Sequence, residues 1–184
     1  GQSEELLGGF IKQDRDALIV ATKTGYTGGS GRENILTQFD QSRSRLKLDV
    51  VDILYLHRWD PKTPLLETFE ALLELQDQGK IRHIGVSNFN IPKLEKLLQT
   101  ARIKPEMNQV ESHPLLAQNE LFDFCQNNGI HYTAYSPLGS RDRSKNMKGG
   151  DEPDMFENAV LKSVAEKHGV HPAQILIKWA EARG

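Results

Sequence analysis

Ala17-Leu18-Ile19-Val20-Ala21-Thr22-Lys23 and Val50-Val51-Asp52-Ile53-Leu54-Tyr55-Leu56-His57 are the two runs whose reading decides the fold. Each begins apolar and β-branched and closes on a single ionisable side chain. A charge at the end of a buried strand is costly unless it faces a polar site. A helix-length segment separates the runs, the spacing of neighbouring strands in a (β/α) barrel. In that architecture, side chains at strand C-termini converge on one mouth.

The same alternation continues on both sides. A helix is expected over 3–11, and a loop containing Gly25, Gly28, Gly29 and Gly31 leads to another over 32–47. After 50–57 a loop with Pro61 and Pro64 precedes a helix over 65–78, which Gly79 stops as a C′ glycine. Strands follow at 81–87, 107–111 and 130–136, with helices at 91–100 and 119–127 between them. Pro92 falls in the first turn of its helix, where a missing N–H costs nothing. The polar stretch 139–153 reads as a mobile surface loop. Helical segments over 155–168 and 172–183 end the chain.

Alternating strands and amphipathic helices imply a parallel sheet wrapped by helices. No Gly-x-Gly-x-x-Gly follows the first strand, which favours a barrel over a doubly wound dinucleotide-binding sheet. The expected fold class is α/β, a (β/α)8 (TIM) barrel, with about five βα units in a single domain spanning 1–184. A complete barrel has eight strands in about 250 residues, so the chain reads as the central part of a longer protein.

A net charge of −2, with 26% charged and 38% hydrophobic residues, offers no electrostatic footprint for nucleic acid or an anionic membrane. No apolar run nears the roughly 20 residues that cross a bilayer, and no secretory signal pattern is present. Cys125 is the only cysteine. An internal disulfide is therefore excluded, and the expected compartment is the reducing cytoplasm. Its setting, Leu121-Phe122-Asp123-Phe124-Cys125, suits a buried small hydrophobe. His83 and His131 lie in strands without metal-ligand spacing and read as structural. His168 and His171 flank a turn at Gly169, so no metal site is expected.

Three strings carry a specific signal: Gly85-Val86-Ser87-Asn88-Phe89-Asn90, Asn108-Gln109-Val110-Glu111-Ser112-His113-Pro114 and Ala134-Tyr135-Ser136-Pro137-Leu138-Gly139. With Ala21-Thr22-Lys23, Leu54-Tyr55-Leu56-His57, Gly79-Lys80-Ile81-Arg82 and the closing 172–179, they resemble the aldo-keto reductases, in that family's order and over nearly the whole chain. The resemblance implies reversible hydride transfer between NAD(P)H and the carbonyl of an aldehyde, ketone or sugar. NADPH is the expected cofactor and NADH the alternative.

The family's tetrad is Asp, Tyr, Lys and His. Lys23 and His57 match its last two members. The ammonium would lower the pKa of the tyrosine, whose reference value is about 10. The imidazole would hold the carbonyl oxygen. The Tyr is expected immediately before Gly1 and the Asp a few residues further upstream, so turnover by these residues alone is not expected. Ser87, Asn88 and Gln109 match the partners of the nicotinamide carboxamide, a group with one acceptor and two donors. Tyr135 matches the ring on which the nicotinamide stacks. Ser136, Leu138 and Ser140 match the loop beneath the pyrophosphate. His113 reads as fixing its loop.

One departure stands out. Where much of the family has an aromatic after the His, this chain reads His57-Arg58-Trp59-Asp60. Tyr26, Arg58 and Trp59 are the expected substrate-pocket residues. An inward Arg58 would favour a phosphate- or carboxylate-bearing substrate; an outward one would join a surface salt bridge. The expected partner is a small carbonyl compound, with no nucleic acid and no membrane, and the expected state is a monomer or weak oligomer. Two rivals remain: a catalytically silent relative with a regulatory or structural role, and an unrelated barrel enzyme in which Lys23 forms a Schiff base.

Overall fold

The computed structural model describes residues 1–140, 143 and 153–184. Most of the stretch 139–153, expected as a mobile loop, lies outside the described residues. The order is α1 (Gln2–Phe10), β1 (Ala21–Thr24), α2 (Arg32–Leu46), β2 (Val51–Leu56), α3 (Leu65–Asp77), β3 (Ile81–Ser87), α4 (Ile91–Thr100), β4 (Met107–Glu111), α5 (Asn119–Asn127), β5 (His131–Tyr135), α6 (Ala159–His168) and α7 (Pro172–Ala182). The strands form one five-stranded sheet in the order β1-β2-β3-β4-β5, and every pair is parallel. This α/β arrangement is part of a (β/α)8 barrel.

Strand period sorts the side chains onto two faces. Leu54, Leu56, Ile84 and Val86 point toward the helices, where Phe39, Phe69, Leu72 and Leu94 bury completely against them. Full burial of each such side chain contributes about 1.5–3 kcal/mol. Cys125 is buried in this layer, as its apolar neighbours imply. The opposite, inner face carries Lys23, Tyr55, Gly85 and Met107 in one row, set by the register Lys23↔Tyr55, Tyr55↔Gly85 and Gly85↔Met107.

Gly85 permits that row. A Cβ there would stand 2.5 Å from Cδ1 and Cε1 of Tyr55. Without one, the Tyr55 ring lies across β3 and its hydroxyl reaches Met107 Sδ at 3.5 Å. Gly79, at φ 69°, closes α3 in the left-handed conformation expected of it.

The first strand is shorter than its apolar run. Residues Arg15–Ala17 form a 3-10 turn, and Leu18 and Ile19 are exposed. Pairing is displaced because the Val20 N–H donates to Asp52 Oδ2 at 2.8 Å. That carboxylate also pairs with Arg15 at 2.8 Å and Arg82 at 3.1 Å. The helix expected from 155 begins only at Ala159. Asn158 caps it by accepting from Val160 and Leu161 N–H, and a 3-10 turn, Met155–Glu157, precedes it.

Candidate active site

Apart from Gln109, in the middle of β4, every residue expected at the site from sequence lies at the C-terminal end of a strand or beyond it. Lys23 is half-buried on β1, its Nζ 5.5 Å from the Tyr55 ring centroid. No carboxylate among the described residues pairs with it, and burial lowers its pKa from the ordinary lysine value. His57 follows β2, and its N–H donates to the Thr24 carbonyl at 2.8 Å, which ties it to β1. Burial first, then the charges of Lys23 and Arg58, lowers the imidazole pKa.

The neutral form of His57 is thereby favoured near pH 7, which leaves one ring N–H as donor. Unfolded, the same group takes up its proton near pH 6.5. Its contribution to stability is therefore present above that pH and falls away as pH drops below it. In NMR titrations the His57 midpoint is expected below 6.5 and higher in Lys23→Met than in the parent. A midpoint that ignores the substitution would separate the two groups electrostatically.

A chain of hydrogen bonds crosses the next three strand ends. Asn88 Nδ2 donates to the His57 carbonyl and to Ser87 Oγ, both at 3.2 Å. Ser87 Oγ donates to the Gln109 carbonyl at 2.8 Å, and the Asn88 N–H reaches the same oxygen at 3.0 Å. The Tyr135 hydroxyl donates to Asn88 Oδ1 at 3.0 Å. Burial and the neighbouring Glu111 carboxylate raise the Tyr135 pKa and keep that proton in place. Asn88 and Ser136 hold left-handed φ values of 61° and 51°, each at the turn out of a strand. Such conformations cost about 1–3 kcal/mol and cluster at functional sites. The Gln109 side-chain amide makes no hydrogen bond among the described residues.

Beyond β5, Ser140 Oγ donates to Ser136 Oγ at 3.0 Å, and Gly139 N–H to the Ser136 carbonyl at 2.9 Å. Leu138 packs on the small cluster of Met155, Leu161 and Leu176. Leu138, Gly139, Ser140 and Met155 line a cleft of about 580 Å³ together with Glu111, His113 and Arg143. Arg143 pairs with Glu111. His113 exchanges backbone bonds with Leu116 and stands 3.5 Å from Glu111, a loop-fixing arrangement.

A second cleft, about 1100 Å³, opens at the ends of β1 and β2 and is lined by Tyr26, Arg58, Trp59 and the Gly28–Gly31 loop. The Tyr26 and His57 rings lie 4.8 Å apart. Arg58 is exposed, and no salt bridge joins it to a carboxylate among the described residues. It rests on Tyr26 instead, with its guanidinium carbon 4.7 Å from the ring. Trp59 also turns toward the core, where it stacks on Phe89 at 6.4 Å.

Sequence reading passed over two groups. Tyr55 sits within Ile53-Leu54-Tyr55-Leu56, where no apolar–polar alternation hints at facing. Glu111 was legible, since it shares the inner face with Gln109 two residues earlier. Among the described residues no cluster of His, Cys, Asp and Glu could hold a metal ion, and no helix is long and apolar enough to cross a membrane.

Known proteins share this arrangement. The chain is 41% identical over 181 residues to the glyoxal reductase of Bacillus subtilis, covering 97% of this chain and 60% of that protein. It is 35% identical over 209 residues to aldo-keto reductase family 1 member A1 of Homo sapiens, covering 98% and 63%. It superposes with a TM-score of 0.87 on MGS-M4, an aldo-keto reductase from a deep-sea metagenome, at 34% identity, covering 99% and 64%. The Bombyx mori aldo-keto reductase in complex with NADP superposes with a TM-score of 0.84 at 28% identity, covering all of this chain and 64% of that one. The chain thus spans about three fifths of the length of the curated relatives it matches. The family model for the aldo/keto reductases matches residues 1–183, and with the strand-end constellation it makes this chain a member of the aldo/keto reductase family.

Proposed function

We propose that this protein transfers hydride reversibly between NADPH and the carbonyl of an aldehyde, ketone or sugar, with NADH as the alternative cofactor. One observation carries the reading. Lys23 and His57 are half-buried at neighbouring strand ends, neither side chain has a hydrogen-bond partner among the described residues, and each is near enough for one charge to act on the other. Their polar atoms keep access to solvent, so both are open to meet a ligand at a common mouth.

The residues present fit the nicotinamide. Its carboxamide needs two acceptors and a donor, and the open amide of Gln109 beside Asn88 supplies both kinds. The face of Tyr135 offers a flat apolar shelf, while Leu138 and Ser140 line the cleft that takes the pyrophosphate, with Ser136 bonded to Ser140 behind them. The bound cofactor supplies the hydride. His57 donates its ring N–H to the substrate carbonyl oxygen and fixes its orientation. Lys23 stabilises the conjugate base of the acid that protonates the developing alkoxide. Tyr26, Arg58 and Trp59 wall the substrate side. The protein acts in the cytoplasm, as a monomer or weak oligomer.

The test mixes the full-length protein with NADPH and a reactive aldehyde. Loss of the reduced-nicotinamide absorbance is expected. No loss across a broad panel of carbonyls would contradict the reading and favour a silent regulatory or structural barrel. Tyr135→Phe keeps the stacking face but removes the bond to Asn88, so it should weaken cofactor binding by about 0.5–1.5 kcal/mol. Fluorescence titration checks this; unchanged affinity would detach the hydroxyl from the site.

A further inference from the structure

The mouth carries a cation that the hydride-transfer chemistry leaves unused. Arg58 directly follows His57, and its Nη2 donates to the Tyr26 carbonyl at 3.1 Å. Its guanidinium carbon and the His57 imidazole both lie against the Tyr26 ring, at 4.7 and 4.8 Å from its centre. The charge and the group proposed to hold the carbonyl therefore share one aromatic neighbour.

No carboxylate among the described residues forms an ion pair with it, and those lining its cleft are bonded elsewhere or stand apart. Asp60 Oδ2 accepts from Ser30 N–H at 3.2 Å and Thr63 Oγ1 at 2.8 Å, and its Oδ1 accepts from Lys62 N–H at 3.0 Å. Glu67 accepts from Arg32 N–H at 3.2 Å. Glu33 lines the same cleft without an ion pair to Arg58. Next in sequence, Trp59 has the ammonium groups of Lys93 and Lys96 at 5.9 and 5.1 Å from its ring.

A guanidinium has five N–H donors in a planar fork. Among the described residues one nitrogen of Arg58 is engaged, and the stack on Tyr26 holds the plane in place. An arginine so held, with an open edge, matches the two oxygens of a carboxylate.

We propose that Arg58 is a specificity-determining residue that binds the carboxylate of an anionic carbonyl substrate, whose carbonyl lies at the adjacent His57. The proposal rests on the reductase reading and names its substrate class.

Matched aldehydes test it in the full-length protein: 4-carboxybenzaldehyde against its methyl ester, which differ mainly in charge. The parent should favour the acid in kcat/KM. In Arg58→Ala the acid-to-ester ratio should fall about tenfold or more, chiefly through KM for the acid. Arg58→Lys should restore part of it, since it keeps the charge without the fork. Raising the salt concentration should narrow the ratio in the parent and not in Arg58→Ala. An unchanged ratio, or equal losses on both aldehydes, would overturn the proposal and leave Arg58 as a support for Tyr26. Benzoate binding, followed by the NMR shift of the Arg58 Nε–H, separates the two claims. A shift without NADPH oxidation by either aldehyde would keep the anion site and sink the reductase reading. No shift with benzoate, alongside oxidation by both aldehydes, would do the reverse.

Discussion

Lys23→Met is expected to lower kcat by about 10²–10⁴-fold with little change in cofactor affinity. Methionine keeps the length and apolar stem of lysine and removes only the charge. The stem is half-buried against Tyr55, where a thioether makes favourable contact with an aromatic ring. The Lys23 ammonium makes no hydrogen bond or ion pair among the described residues that could be lost, so the fold should tolerate the change. What disappears is a positive charge in a partly desolvated site, where charges act more strongly than in water. Turnover followed by nicotinamide absorbance and binding followed by fluorescence together check this. Loss of affinity in proportion to kcat would show that the ammonium holds the cofactor instead of serving proton transfer.

Gly85→Val is expected to destabilise the protein by about 3 kcal/mol. The new Cβ would overlap Tyr55, whose ring atoms lie 2.5 Å from that position and which is only 3% exposed. Tyr55 has no easy retreat, because its ring lies beneath Lys23 on one side and its hydroxyl reaches Met107 across β3. The ring must move or the strands must part. A shift of the denaturant midpoint at constant slope measures the cost. Movement of Tyr55 would also alter the setting of Lys23, so kcat should fall beyond what lost stability explains. An unchanged midpoint would mean that the ring does not cross Gly85.

Strands β3 and β4 and helices α4 and α5 were legible to the residue, because their apolar period and bounding Gly, Pro and Asn agree. The start of β1 was not. Its apolar run continues through Leu18 and Ile19, but the Val20 N–H is taken by Asp52, a partner 32 residues away that no local pattern shows. The start of α6 was lost to a competing cap, Asn158. At the site, residue types and strand-end positions could be read, since barrel geometry gathers such ends. Partnerships could not. The Tyr135–Asn88 bond joins residues 47 apart, and the Arg143–Glu111 pair joins residues 32 apart. Arg58 illustrates the same limit: sequence marks it as unusual beside His57, and only the fold sets its guanidinium on Tyr26.

A crystal structure of the full-length protein with NADP⁺ tests the site most directly. The nicotinamide ring should lie on the face of Tyr135, its carboxamide bonded to Asn88 and Gln109 and its C4 turned toward Lys23 and His57. A nicotinamide found elsewhere on the barrel, or at this mouth with its carboxamide touching neither amide, would contradict the assignment.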